Sequence, residues 1–182
     1  MLGAVRIRLR GLTLIELLVT VAIVVIMAVI ALPSFQGTLS RNRLSGAAES
    51  LAQDLYLARS QALEDGCTIT LTFTPASSSS WSYSMTKPSS SSNCLNPCSS
   101  AGAADCTLKT VTGSNFSGIT LPSTTFASNA VSYDPVRSTA NAGEVVLSAS
   151  STGDSVKVQL GAVGKVSICT SAGSGGYAAC AP

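Results

Sequence analysis

A chain of 182 residues with six cysteines, no histidine and only 11% charged side chains is long enough for one modest core on an anchor. Its formal charge of +2 is concentrated at the start: without Arg6, Arg8 and Arg10, eight basic side chains face nine acidic ones, and from Ser34 onward the two signs balance at eight each. That balance excludes a strongly basic nucleic-acid surface; with no histidine for a triad, no Gly-rich phosphate loop and scattered acids, the chain reads as no enzyme and as needing no cofactor.

The first element is the stretch Arg10–Pro33, RGLTLIELLVTVAIVVIMAVIALP, in which only Thr13, Glu16 and Thr20 are polar between Leu12 and Leu32. As a helix that run spans roughly 30 Å, the thickness of a bilayer core, so residues 12–33 are predicted to cross a membrane. A carboxylate at such depth costs several kcal/mol unless partnered and by default marks function. The three arginines before the run hold the N-terminus in the cytoplasm and send the remainder across. A secretory signal cut near Val29-Ile30-Ala31 would be shorter and uncharged, and a plain anchor would not explain Glu16.

Residues 34–66 are predicted to continue the helix, with an interruption at Ser34 to Gly37. Leu44, Ala48, Leu51, Leu55, Ala58 and Ala62 recur at spacings of four and three, which places them on one helical face. Arg41, Arg43, Glu49, Asp54, Arg59 and Glu64 are read as lying off that face and solvated. Gly66 is placed to stop the helix.

Residues 67–182 read as β-rich. Ile69, Leu71 and Phe73 alternate with threonines, and Trp81, Tyr83 and Met85 with serines, which predicts a hairpin with one apolar face. Lys87 to about Cys106 has no periodicity and three cysteines, and reads as a stapled surface insertion. Further strands are predicted near Leu108–Val111, Ile119–Leu121, Ala130–Tyr133, Glu144–Ala149, Ser155–Leu160 and Lys165–Cys169, with Ser151 to Asp154 turning a second hairpin. Alternation predicts a mostly antiparallel sheet with one face on the helix. The fold class is α+β. Cys67, Cys94, Cys98, Cys106, Cys169 and Cys180 all follow the membrane run, where an oxidising compartment favours disulfides; a zinc site on Cys94, Cys98 and Cys106 is the competing reading, disfavoured by the absence of histidine.

Gly11 followed by Leu12-Thr13-Leu14-Ile15-Glu16-Leu17 resembles the class III signal of type IV prepilins and type II secretion pseudopilins. The resemblance implies a leader of residues 1–11, cleavage between Gly11 and Leu12 by a prepilin peptidase, and N-methylation of Leu12. Glu16 then stands fifth in the mature chain and Pro33 twenty-second, where that superfamily has its assembly glutamate and helix-kinking proline; Leu12 replaces the usual phenylalanine. The implied architecture is pilin-like, a long N-terminal helix packed on an antiparallel β domain. The implied location is the inner membrane, single-pass, with the C-terminal domain periplasmic, and then the filament. Other pilins of that filament and an inner-membrane assembly platform are the implied partners.

Three further places are similar to the GspH/FimT/FimU branch: Ala58-Arg59-Ser60-Gln61-Ala62, Val131-Ser132-Tyr133-Asp134-Pro135 with Gly143 and Val145, and Gly164-Lys165-Val166. They imply a minor pilin that helps prime or cap a type IV pilus, with a minor pseudopilin of type II secretion and a pilus DNA receptor as alternatives. The C-terminal disulfide loop of many pilins implies a Cys169–Cys180 pair; the other four cysteines allow three connectivities. In DNA-binding pilins of this branch a Gly-Arg-x-Arg motif falls where this chain has Gly164, Lys165, Val166 and Ser167, leaving Lys165 as the single matching cation.

Overall fold

The computed structural model describes residues 13–89, 94–96, 98, 105–170 and 176–180, and of residues 30–34 and 105 the backbone alone. Two compact units divide it, Met1–Thr38 and Leu39–Pro182, and helix α1, Leu14–Asp65, contributes to both.

In the first unit α1 begins on a cap. The Glu16 backbone N–H donates to Thr13 Oγ1 at 3.3 Å, which satisfies one of the amides that a helix start leaves without a partner. Helical backbone continues through residues 34–37, where the sequence suggested an interruption. Side chains from Leu14 to Val29 are exposed on every face of this stretch, Leu14 at 83% and Val29 at 66%.

The second unit holds the core. Leu44, Ala48, Leu51, Leu55, Ala58 and Ala62 are all buried, joined by Ala47 and Ala52 at the stripe's margins. The helix ends as Gly66 adopts φ +61° and the Cys67 N–H donates to the Ala62 carbonyl at 3.3 Å. That is the six-to-one bond of a Schellman cap, which needs a residue free to enter the left-handed region.

Eight strands follow: β1 Ile69–Thr74, β2 Ser82–Pro88, β3 Asp105–Thr112, β4 Ile119–Thr124, β5 Ala130–Tyr133, β6 Gly143–Ala149, β7 Ser155–Leu160 and β8 Val166–Thr170. They form two four-stranded antiparallel sheets, β3-β2-β1-β5 and β4-β6-β7-β8, where the sequence suggested one. β4 turns away from the first sheet to pair with β6, and Ala76 and Leu121 link the sheets through two backbone bonds of 2.8 and 3.2 Å.

Aromatic rings of the first sheet, and Trp81 just before β2, pack against rings from the segments that flank β4. Phe73 lies 5.8 Å from both Tyr83 and Phe126, and Trp81 stacks on Phe116 at 6.1 Å. Burying an indole leaves its N–H to be satisfied, and Trp81 Nε1 donates to the Ile119 carbonyl at 2.8 Å across the sheets.

The outer face of the first sheet is different in kind. Its alternate positions pair in register as rungs: Thr74–Ser82–Thr112, then Thr72–Ser84–Thr110 with Ala130 beside them. A third rung joins Ser132, Thr70, Thr86 and Thr107 past a bulge between Met85 and Thr86.

Candidate functional site

Glu16 is the residue on which the sequence reading centred, and the fold places it in the first turn of α1. There the exposed amide dipoles sum to a partial positive charge, which favours a carboxylate. Thr13 fixes the start of the turn, so threonine at 13 and glutamate at 16 stand as N-cap and N3, the spacing of a capping box. Gly11 and Leu12, the proposed cleavage pair, lie outside the described residues. Pro33 lies within α1, but its side chain lies outside them. Among the described residues no helix is long and apolar enough to cross a membrane; described side chains of the apolar run stop at Val29.

In the second unit Asp54 is buried. The expectation was a solvated acid, but Asp54 is only 3% exposed. Its Oδ2 accepts the Tyr83 hydroxyl at 2.8 Å and its Oδ1 accepts Lys109 Nζ at 2.6 Å, so one carboxylate ties the helix to β2 and β3. Burial, then the adjoining Asp54 carboxylate, push the Tyr83 phenol far above its ordinary range, and the phenol stays protonated as donor. The clue was present in the spacing. Asp54 stands three residues after Leu51 and four before Ala58, inside the apolar arc that a core-facing helix presents.

Arg59 is corrected likewise: it is half-buried, not free in solvent. Its Nε donates to Ser138 Oγ at 2.7 Å in the loop after β5, and its Nη1 reaches the Gly164 carbonyl at 3.5 Å in the turn between β7 and β8. Gly164 is at φ +77°, and a Cβ there would press on the guanidinium at 3.1 Å. Tyr56 adds a bond to the Val166 carbonyl at 3.2 Å. The Ala58-to-Ala62 element therefore fastens loops of both sheets to the helix.

Three disulfides join Cys67 to Cys94, Cys98 to Cys106 and Cys169 to Cys180. The first draws residues 94–96 onto the helix end, where the Asn96 N–H donates to the Asp65 carbonyl at 3.0 Å. The last closes a sequence separation of 11 and holds Tyr177, whose hydroxyl donates to Glu49 Oε1 at 2.8 Å. Each closed loop of this order contributes about 2 to 4 kcal/mol by restricting the unfolded chain.

Lys165 is exposed in the β7–β8 turn, which closes by a Gly161 N–H to Lys165 carbonyl bond of 2.9 Å. Lys157, further along β7, is engaged: its Nζ pairs with Glu144 at 2.8 Å, and that bond holds the Glu144 carboxyl below its usual range. Among the described residues no cluster of three metal-ligating side chains occurs.

A family model described as type II transport protein GspH matches residues 47–164, from the helix stripe through Arg59 to the β7–β8 turn. The chain belongs to the GspH family. A second model, the prokaryotic N-terminal methylation motif, matches residues 8–32. The chain is therefore a minor pilin or pseudopilin by family, and the fold agrees. The type IV minor pilin FimU of Pseudomonas aeruginosa is similar at TM-score 0.51 and 17% identity, covering 72% of this chain and 92% of that one. The minor pseudopilin EpsH of the Vibrio cholerae type 2 secretion system aligns at TM-score 0.45 and 11% identity, over 70% of this chain and 97% of that one. A search of curated proteins returned no match.

Proposed function

We propose that this GspH-family chain is a minor pilin: a structural subunit, anchored by residues 12–33 in the inner membrane, that helps prime or cap a type IV pilus once the leader is removed between Gly11 and Leu12 and Leu12 is N-methylated. The observation that carries this reading is the coincidence of the methylation motif over residues 8–32 with a helix start that holds Glu16 in its first turn. A protonated amine at Leu12 would sit at the positive end of α1, the unfavourable end for a cation. The Glu16 carboxylate of a neighbouring subunit offsets that charge and sets the axial register of the incoming helix. Apolar faces of the helices then pack in the filament, leaving the sheets outside.

Glu16→Ala removes the partner and leaves the cut site alone. A charge-assisted pair is worth about 1.5–3 kcal/mol, so the variant should be processed normally yet enter sheared filaments at roughly a tenth of the wild-type level or less. Immunoblots of membrane and filament fractions measure both quantities. Wild-type incorporation would remove the pairing role from the mechanism.

A minor pseudopilin of a type II secretion system is the second reading, favoured by the description of the matching family model. Copurification separates them: pilus subunits should accompany the chain in the first case, secretion-system pseudopilins in the second.

A DNA-receptor role is disfavoured by charge. Phosphate affinity grows with the number of cations that release counterions; beside Lys165 the half-buried Arg59 is held by Ser138 and the Gly164 carbonyl, and Lys157 on β7 is paired with Glu144. Lysine also lacks the planar fork that grips phosphate at two points. The detergent-solubilised chain should bind duplex DNA at about 10⁻⁴ M or weaker in physiological salt, as read by fluorescence titration. Micromolar binding abolished by Lys165→Ala would move DNA uptake to first place.

A further inference from the structure

A strand at the margin of a sheet presents a row of unpaired N–H and C=O groups, which another chain can pair with. Among the described residues the two sheets have four such edges, β3, β5, β4 and β8, and three are closed, each by its own device. Along β5 the Asn141 side chain accepts from the Ser132 N–H at 2.8 Å and donates to the Ala130 carbonyl at 2.7 Å. Along β8 the C-terminal segment, held by the Cys169–Cys180 disulfide, makes two backbone bonds of 3.0 Å to Thr170, and the Tyr56 hydroxyl donates to the Val166 carbonyl. Strand β4 is broken by a register shift and by Pro122, and Leu121 bonds to Ala76 on its far side.

The fourth edge, β3, is open, and at eight residues it is the longest strand. The Gly113 N–H donates to the Trp81 carbonyl at 2.8 Å. Antiparallel pairs alternate between bonded and unbonded, so Val111 and Lys109 turn their backbone groups to β2, while Thr110 and Thr112 turn theirs outward. Among the described residues nothing meets those outward backbone groups. A lysine commonly guards such an edge, but the Lys109 ammonium is drawn inward to Asp54. Helix α1 runs beside the edge: Asp54 pairs with Lys109, and Asp65 with Lys87, which stands opposite Cys106 of β3. Between those contacts lie the exposed Leu57 and Gln61, whose Oε1 is buried with no donor among the described residues.

From these features we infer that residues 107–112 of β3 take an added β-strand from a different subunit of the same filament, an inference that rests on the reading of the chain as a filament subunit. The occupant follows from the groups on offer. Outward N–H and C=O groups repeating every roughly 6.8 Å match the backbone of an extended polypeptide, and match no lipid, nucleic acid or free ion. Side chains of that strand on the α1 side would meet Leu57 and Gln61, which suits an apolar residue and a hydrogen-bond donor. A second copy of this chain is a poorer occupant. Its other edges are closed, and the fullest twofold pairing of β3 with β3 sets the two Lys109 side chains opposite or diagonal on one face, where like charges oppose pairing. Such a pair also closes on itself and leaves no edge for the next subunit.

The test is made on the full chain in cells. Thr110→Pro removes one outward N–H and sets a ring against the incoming strand, yet leaves the β2 ladder whole, which is where a strand tolerates proline. Its incorporation into sheared filaments, read by immunoblot, should fall at least about fivefold, the equivalent of one lost bond near 1 kcal/mol. Thr110→Val keeps the N–H and should incorporate as wild type, and thermal melts check that both variants fold. A second measurement does not need the proline variant: p-benzoylphenylalanine in place of the exposed Leu108 should photocrosslink within filaments to an extended segment of another pilin, identified by mass mapping. The same group at Ser132, beside the closed β5 edge, should not reach that segment. Equal incorporation of a folded Thr110→Pro chain, adducts at Leu108 only to a second copy or to lipid, or no adduct would overturn the inference and leave the filament reading standing. Absence of the wild-type chain from filaments would overturn both.

Discussion

Gly11→Leu should leave the full-length precursor in the inner membrane, with no chain beginning at Leu12. A peptidase that cuts a peptide bond has to bring its catalytic groups to the backbone on either side of that bond, and glycine permits the closest approach because it has no Cβ. A leucine side chain holds the backbone away. Displacement of a reacting bond by about 1 Å costs on the order of a hundredfold in rate, enough for precursor to accumulate faster than it is cut. Mass spectrometry of the membrane fraction reads the outcome directly, since loss of residues 1–11 is a large mass change. Paired with Glu16→Ala, the experiment separates the two halves of the proposed mechanism: the glycine variant is uncut and so cannot assemble, and the glutamate variant is cut but assembles poorly. A Gly11→Leu chain that still matures to a Leu12 N-terminus would sink the proposed cleavage site.

Asp54→Ala should be strongly destabilising, although only one carboxylate on helix α1 is lost. The alanine leaves the Tyr83 hydroxyl buried without its acceptor, at a cost of about 1–3 kcal/mol. Lys109 loses its partner too, but its side chain is 43% exposed and can turn to water, so its contribution is small. A total near 2–3 kcal/mol is a large share of the about 5–15 kcal/mol that holds a typical domain together, and corresponds to a fall in Tm of roughly 5–10 °C for a chain of this size. Circular dichroism melts of the detergent-solubilised chain should rank the variants Asp54→Ala, then Tyr83→Phe, then Lys109→Ala, with Asp54→Asn milder because it keeps an acceptor for the phenol. A melting temperature for Asp54→Ala within a degree of wild type would show that the carboxylate does not clamp helix to sheet.

What was legible in the sequence was local. Alternation in Ile69, Leu71 and Phe73 marks which side chains point inward, because successive residues of a strand face opposite ways, and all three are buried. The spacing from Leu44 to Ala62 marks the helix stripe for the same kind of reason, and Gly66 marks its end. The Ser151-to-Asp154 turn joins β6 to β7, which pair with Val145 opposite Val158 and Leu147 opposite Val156, since a hairpin's register is set by its turn and pattern.

Pairing between distant segments was decided only in three dimensions. Alternation states which face of a strand is apolar but not which strand lies beside it, so β1 pairing with β5 and β4 leaving to pair with β6 were not readable, and two sheets formed where one was expected. The connectivity of Cys67, Cys94, Cys98 and Cys106 depended on the same distant approach. Asp54 is the clearest case. Its position within the apolar arc was visible in the spacing, but a carboxylate can be buried there only because Tyr83 and Lys109, 29 and 55 residues away in sequence, arrive with the donors that offset its desolvation.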